Sequence, residues 1–151
     1  MRVWSPKIKN GEKIPNIYTC KGKDISPPIL WEDVPDKTES FALISSDPDA
    51  PMGTWIHWLI YDIPKNVRSL PEGIPQVLLL PDGSKQGKND FGNIGYGGPC
   101  PPPGKYHRYF FKLYALDKDL SLPERLTEKE LLAKIKKHII EIAEFYGIFS
   151  R

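Results

Sequence analysis

No run of about 18 apolar residues occurs in the 151-residue chain, so it offers no membrane-spanning helix. The opening residues MRVWSPKIKN contain no apolar core followed by a small-residue cleavage site, which makes a cytoplasmic protein the expectation. Charge of one sign is also scarce: 21 Lys and Arg against 19 Asp and Glu leave a net +2, so electrostatics give no support for a nucleic-acid partner. The chain has 2 cysteines, Cys20 and Cys100, without C-x-x-C spacing, which argues against a zinc knuckle or a thioredoxin-type pair. In reducing surroundings two free thiols are expected. Neither an internal repeat nor a low-complexity tail divides the chain, and one domain over residues 1–151 suits its length.

Turn formers are abundant. Sixteen prolines and 12 glycines argue against a helical bundle and for strands joined by rigid turns. The clearest strand is FALISSD, 41–47, with Phe41, Leu43 and Ser45 on one face and Ala42, Ile44 and Ser46 on the other. WIHWLIYDI, 55–63, puts Trp55, His57, Leu59 and Tyr61 one way and Ile56, Trp58 and Ile60 the other; apolar on both faces, it should be central. HRYFFKLYAL, 107–116, is a third strand, with shorter ones at 15–20, 67–70 and 77–80. SPPILWEDVP reads as a proline-stiffened connection unsuited to a sheet centre. One helix is expected in LTEKELLAKIKKHIIEIAEF, with Thr127 and Glu130 as a capping box and Leu131, Leu132, Ile135, Ile139, Ile142 and Ala143 as its apolar stripe. Its lysines read as a solvated face and His138 as a surface residue. Gly147 would end it, leaving IFS as a last short strand.

SSDPDAPMGTWIHW places Asp47 at the end of one strand and His57 near the start of the next, across a bend rich in proline. His107 also begins a strand, after the long irregular segment 82–105. Polar groups at strand ends beside rigid loops are how a pocket rim is built. Each residue also has a plainer role, since Asp47 and Asp49 could bond their own turn and His57, Trp55, Trp58 and Tyr109 could be core. Among chemistries, no G-x-S-x-G elbow is present, and a Ser45 or Ser46 nucleophile beside Asp47 is a weak reading. His57, His107 and Asp47 have metal-ligand types without diagnostic spacing, so no metal or cofactor is expected. An anion site fits better: imidazoles and tryptophan N–H groups donate, GYGGPC can form a nest of backbone amides, and Asp47 can orient and charge a histidine.

DPDAP followed by W-x-H-W, then G-x-x-G-Y-x-G-P-C-P-P-P-G and HRYFFKLYALD, resembles the phosphatidylethanolamine-binding protein family. The likeness runs from SPPILWEDVP through nearly the rest of the chain and points to the archaeal and bacterial branch described as Raf kinase inhibitor-like. It implies a mainly β fold, a Greek-key antiparallel β-sandwich with one peripheral C-terminal helix, and a small cavity for phosphate-like anions or phospholipid head groups. Carried over by position, the cavity receives Asp47, Asp49, Trp55, His57, Cys100, Pro101, Pro102, His107 and Tyr109. Cys100 stands where animal members tend to have a small residue, so its thiol is expected to narrow the opening. Mammalian members have two successive histidines after the tryptophan, whereas this chain has Ile56 and then His57, and kinase or flowering roles are not carried over. Some relatives inhibit serine proteases, for which Leu116, Leu120 or Leu122 of LDKDLSLPE would be the residues offered to a protease. A non-enzymatic protein that binds a small anion or a phosphorylated group is thus the leading expectation, protease inhibition the alternative, and a serine or metal hydrolase the third.

Overall fold

Aromatic and aliphatic residues dominate 40–47, 55–64 and 107–116, and these segments form the long strands that carry the molecule. The computed structural model describes residues 1–151. Its strands are β1 (Arg2–Trp4), β2 (Ile29–Glu32), β3 (Ser40–Asp47), β4 (Trp55–Pro64), β5 (Ser69–Leu70), β6 (Lys85–Gln86), β7 (His107–Leu116) and β8 (Ile139–Phe149), with one α-helix, α1 (Glu128–Ile135). A three-stranded sheet has the order β1-β2-β5, and a five-stranded sheet the order β6-β4-β3-β7-β8; every pairing is antiparallel. Between β4 and β7 the chain visits the small sheet and the far edge of the large one before returning beside β3. That crossover is the Greek-key element of the expected sandwich.

The main core lies between the sheets, where Phe41, Leu43, Trp58, Ile60, Phe111 and Leu113 meet Val3, Ile29, Trp31 and Leu70. A second core covers the outer face of the large sheet: Ala42, Ile44, Leu59 and Tyr61 pack beneath Leu122, Leu126, Leu131 and Ile135. β3 and β4 are therefore buried on both faces, as their two-sided apolar pattern requires.

Several expectations need correction. The helix is less than half as long as expected: α1 stops at Ile135, a 3₁₀ turn spans Lys136–His138, and Ile139 onward is strand. The capping box of Thr127 and Glu130 does start it. β-branched Ile139, Ile140 and Ile142, followed by Phe145 and Tyr146, suit a strand as well as a helix, and β7 offers a partner along its whole length. Ile29–Glu32 is the middle strand of the small sheet rather than a connection, because its prolines, Pro27, Pro28 and Pro35, flank the paired residues. The expected strand at 15–20 is a 3₁₀ turn over Asn16–Tyr18, and 77–80 contributes one bridge, Leu79 to Lys85.

Candidate functional site

The alternation of β4 breaks at the residue that matters most. Ser45 pairs with Trp58 and Ser46 with Ile56, so His57 is an extra residue in a β-bulge. Trp58 and Ile60 face the inner core, and Leu59 and Tyr61 the outer one. Unbroken alternation would send His57 outward with Leu59. The bulge instead puts Ile56 on the outer face and turns His57 toward the end of the sandwich, a use of bulges common beside functional sites.

Asp47, at the end of β3, is buried and holds two groups. One carboxylate oxygen accepts from the Asp49 N–H at 2.8 Å, closing the turn, and the other bonds His107 Nδ1 at 2.7 Å. His107, at the first position of β7, is itself buried, so the pair is shielded from water. His57 Nδ1 lies 2.6 Å from the Gly97 carbonyl, and the Gly97 N–H donates to the His57 carbonyl at 2.9 Å. Each imidazole is thus fixed through Nδ1, and neither Nε2 has a partner in the chain. Burial, outweighing the Gly97 carbonyl and the Asp47 charge, pushes the His57 pKa down and keeps that ring neutral. Tyr109 stands between the histidines, edge-on to His57 at 5.3 Å and stacked on His107 at 6.4 Å. Its hydroxyl is buried without a partner, and desolvation, assisted by Asp47 and Asp49, raises its pKa.

These groups line a cavity of about 240 Å³. Asp47, Trp55, His57, Cys100, Pro101, Pro102, His107 and Tyr109 all contribute to it, which is eight of the residues expected from the motifs. Asp49 does not. It points outward and takes three hydrogen bonds from Arg108, through the backbone N–H, Nε and Nη2, each at 2.9 Å. The guanidinium holds its carboxyl down at about 2. Ser45 and Ser46 are absent from the lining, and no three His, Cys, Asp or Glu side chains gather in metal-holding geometry.

Sequence reasoning missed part of the wall. Phe91 sets its ring against Trp55 at 5.6 Å and His57 at 5.3 Å, while Ala50, Pro51 and Met52 form the rim. Asp90 behaves as a strand partner: its carboxylate accepts from the Ile56 N–H at 2.7 Å, and its backbone N–H donates to the Ile56 carbonyl at 2.9 Å. The available signal was the irregular segment 82–105, whose individual contacts carry no sequence pattern.

The opposite wall corrects the reading of the cysteines. Cys20 and Cys100 form a disulfide, with Cα atoms 5.4 Å apart. Their segments meet independently of the sulfurs: the Cys20 N–H donates to the Pro99 carbonyl at 3.1 Å, and the Gly98 N–H to Asp24 at 2.8 Å. This packing of 16–24 on 97–100 is a tertiary feature that a separation of 80 residues conceals. No free thiol narrows the opening; the bridged Cys100 forms part of the wall. The leucines expected to meet a protease are also corrected. Leu116 and Leu122 are buried in the outer-face core and Leu120 packs against it, because 120–126 covers the sheet.

A two-sheet β-sandwich with a histidine-lined cavity at one end defines the class of protein. Residues 4–150 match the family model described as Phosphatidylethanolamine-binding protein, and the chain belongs to that family. It is 54% identical to a UPF0098 protein of Aquifex aeolicus, over 100% of this chain and 89% of the relative, and 48% identical to a UPF0098 protein of Methanothermobacter thermautotrophicus, over 92% and 91%. Among solved structures it is similar to YbcL of E. coli, described as a member of the mammalian PEBP family, with TM-score 0.92 and 35% identity over 99% of this chain and 98% of that one. It is likewise similar to the PEBP homologue CT736 from Chlamydia trachomatis, with TM-score 0.90 and 40% identity over 99% and 97%.

Proposed function

We propose that the protein is a non-enzymatic binding protein whose cavity takes a small anion, phosphate or a phosphorylated head group. The observation that carries this reading is the buried Asp47–His107 pair, with His107 Nε2 left free at the cavity. No lysine or arginine lines the space, so the imidazole of His107, held from behind by the Asp47 carboxylate, is the group set to meet an anion. The lining supplies no serine, threonine or free thiol as a nucleophile, which favours recognition over chemistry. Protease inhibition through Leu116, Leu120 or Leu122 has no support, since none of the three is presented to a partner.

Isothermal titration with inorganic phosphate tests the reading. His107→Ala should weaken binding about tenfold or more, the effect of removing a charge-assisted hydrogen bond. Equal affinity in the variant and the wild type would sink the assignment.

A further inference from the structure

We infer that the cavity selects oxyanions that still carry a proton, such as hydrogen phosphate and singly ionised phosphate monoesters, over fully ionised oxyanions such as sulfate. This rests on the anion reading of the cavity and narrows it. The geometry of His57 is the basis. A carbonyl can only accept, so the 2.6 Å contact with Gly97 places the ring proton on Nδ1. In the neutral ring Nε2 is then a lone pair, and it is this atom that the chain leaves without a partner.

Three carboxylates, of Asp47, Asp24 and Asp90, act on His57 in the direction of protonation, but burial outweighs them. The His57 ring is boxed in by Phe91 and Tyr109, each edge-on to it at 5.3 Å, so it cannot swing Nδ1 into the cavity without losing its carbonyl. The two free ring nitrogens differ: His107 Nε2, on the ring that Asp47 holds, is the donor to an anion, and His57 Nε2 is an acceptor whose character is set by the backbone behind it. A tetrahedral anion that keeps one O–H can satisfy both kinds of group at once. One without a proton must set an oxygen lone pair against the His57 lone pair, in a buried setting where such a mismatch is costly.

Phosphate retains a proton near neutrality and sulfate does not, while their shapes match. Titrations of wild type with each anion at about pH 6 and constant ionic strength should give phosphate a preference of about tenfold or more, the range expected for an unmatched buried acceptor. His57→Phe, which removes the acceptor, should bring that ratio close to one, and His57→Gln, which keeps an acceptor, should preserve part of it. Equal affinity of the wild type for both anions would overturn the selectivity while leaving the anion cavity standing. Binding of neither would overturn the cavity reading itself and this inference with it. Should the variants fail to fold, imidazole ¹⁵N shifts of the wild type decide: a neutral His57 protonated on Nδ1 supports the proposal, and one protonated on Nε2 refutes it.

Discussion

Breaking the Cys20–Cys100 bridge should cost the fold a large part of its stability, almost all of it through the unfolded chain. The bonded residues are 80 apart in sequence, and chain-entropy reasoning for a loop of that length gives about 4.5 kcal/mol at 25 °C. The folded state should change little on reduction, because the Cys20 N–H to Pro99 and Gly98 N–H to Asp24 bonds still hold the two segments together. For a chain of this size the loss corresponds to a fall in Tm of about 10–15 °C. Chemical and thermal unfolding with and without a thiol reductant, and of Cys20→Ser with Cys100→Ser, measures it. The reduced wild type and the double variant should unfold together, well before the oxidised protein. Coincident unfolding of all three would show that the bridge does not restrain the unfolded chain.

Single contacts give further tests. Asp49 has a folded-state pKa of about 2, below the ordinary carboxylate value of 3.8, so its ion pair contributes stability that is present above about pH 4 and lost as pH falls toward 2. Arg108→Met should flatten the Tm-against-pH curve in that window, by only a few degrees because solvent screens the pair; an unchanged slope would contradict the assignment. A β-carbon at Gly98 would lie 2.3 Å from the Tyr18 carbonyl oxygen and from Asp24 Oδ1, so Gly98→Ala should destabilise by about 2 kcal/mol or more and weaken phosphate binding by displacing the wall. Leu131→Ala, in the outer-face core, should cost about 2–5 kcal/mol in denaturant unfolding yet leave phosphate affinity unchanged in the folded fraction. Loss of affinity there would show that the outer core supports the cavity after all.

Legibility of the fold in the sequence followed the periodicity. β3, β4 and β7 were readable because short apolar and aromatic runs of eight to ten residues, bounded by turn formers, suit buried strands. β8 was hidden because Leu131, Leu132, Ile135, Ile139 and Ile142 also satisfy a helical stripe; what decides is β7, whose edge needs a partner, and that is a long-range fact. Proline misled at Ile29–Glu32, where its position beside the strand rather than within it made the difference.

The candidate site was largely readable as a set of residues and poorly readable as a mechanism. Asp47, His57 and His107 could be grouped from their places at strand ends, but their pairing could not: the carboxylate bonds His107, 60 residues away, and His57 turns to a backbone carbonyl. The bulge that aims His57 leaves no mark in WIHWLIYDI. Asp49 was placed at the cavity with Asp47 because both lie in DPDAP, and it is the position of Arg108 that draws it outward.

Everything proposed for function depends on an anion entering the space between His57, His107 and the disulfide-braced wall. Backbone amide and imidazole resonances followed during titration with inorganic phosphate address that entry without any substitution. Saturable shifts should concentrate at Asp47, Trp55, His57, Phe91, Cys100, His107 and Tyr109, the residues that line the cavity. Shifts confined to another surface, or none at phosphate concentrations far above the physiological range, would contradict the proposed site.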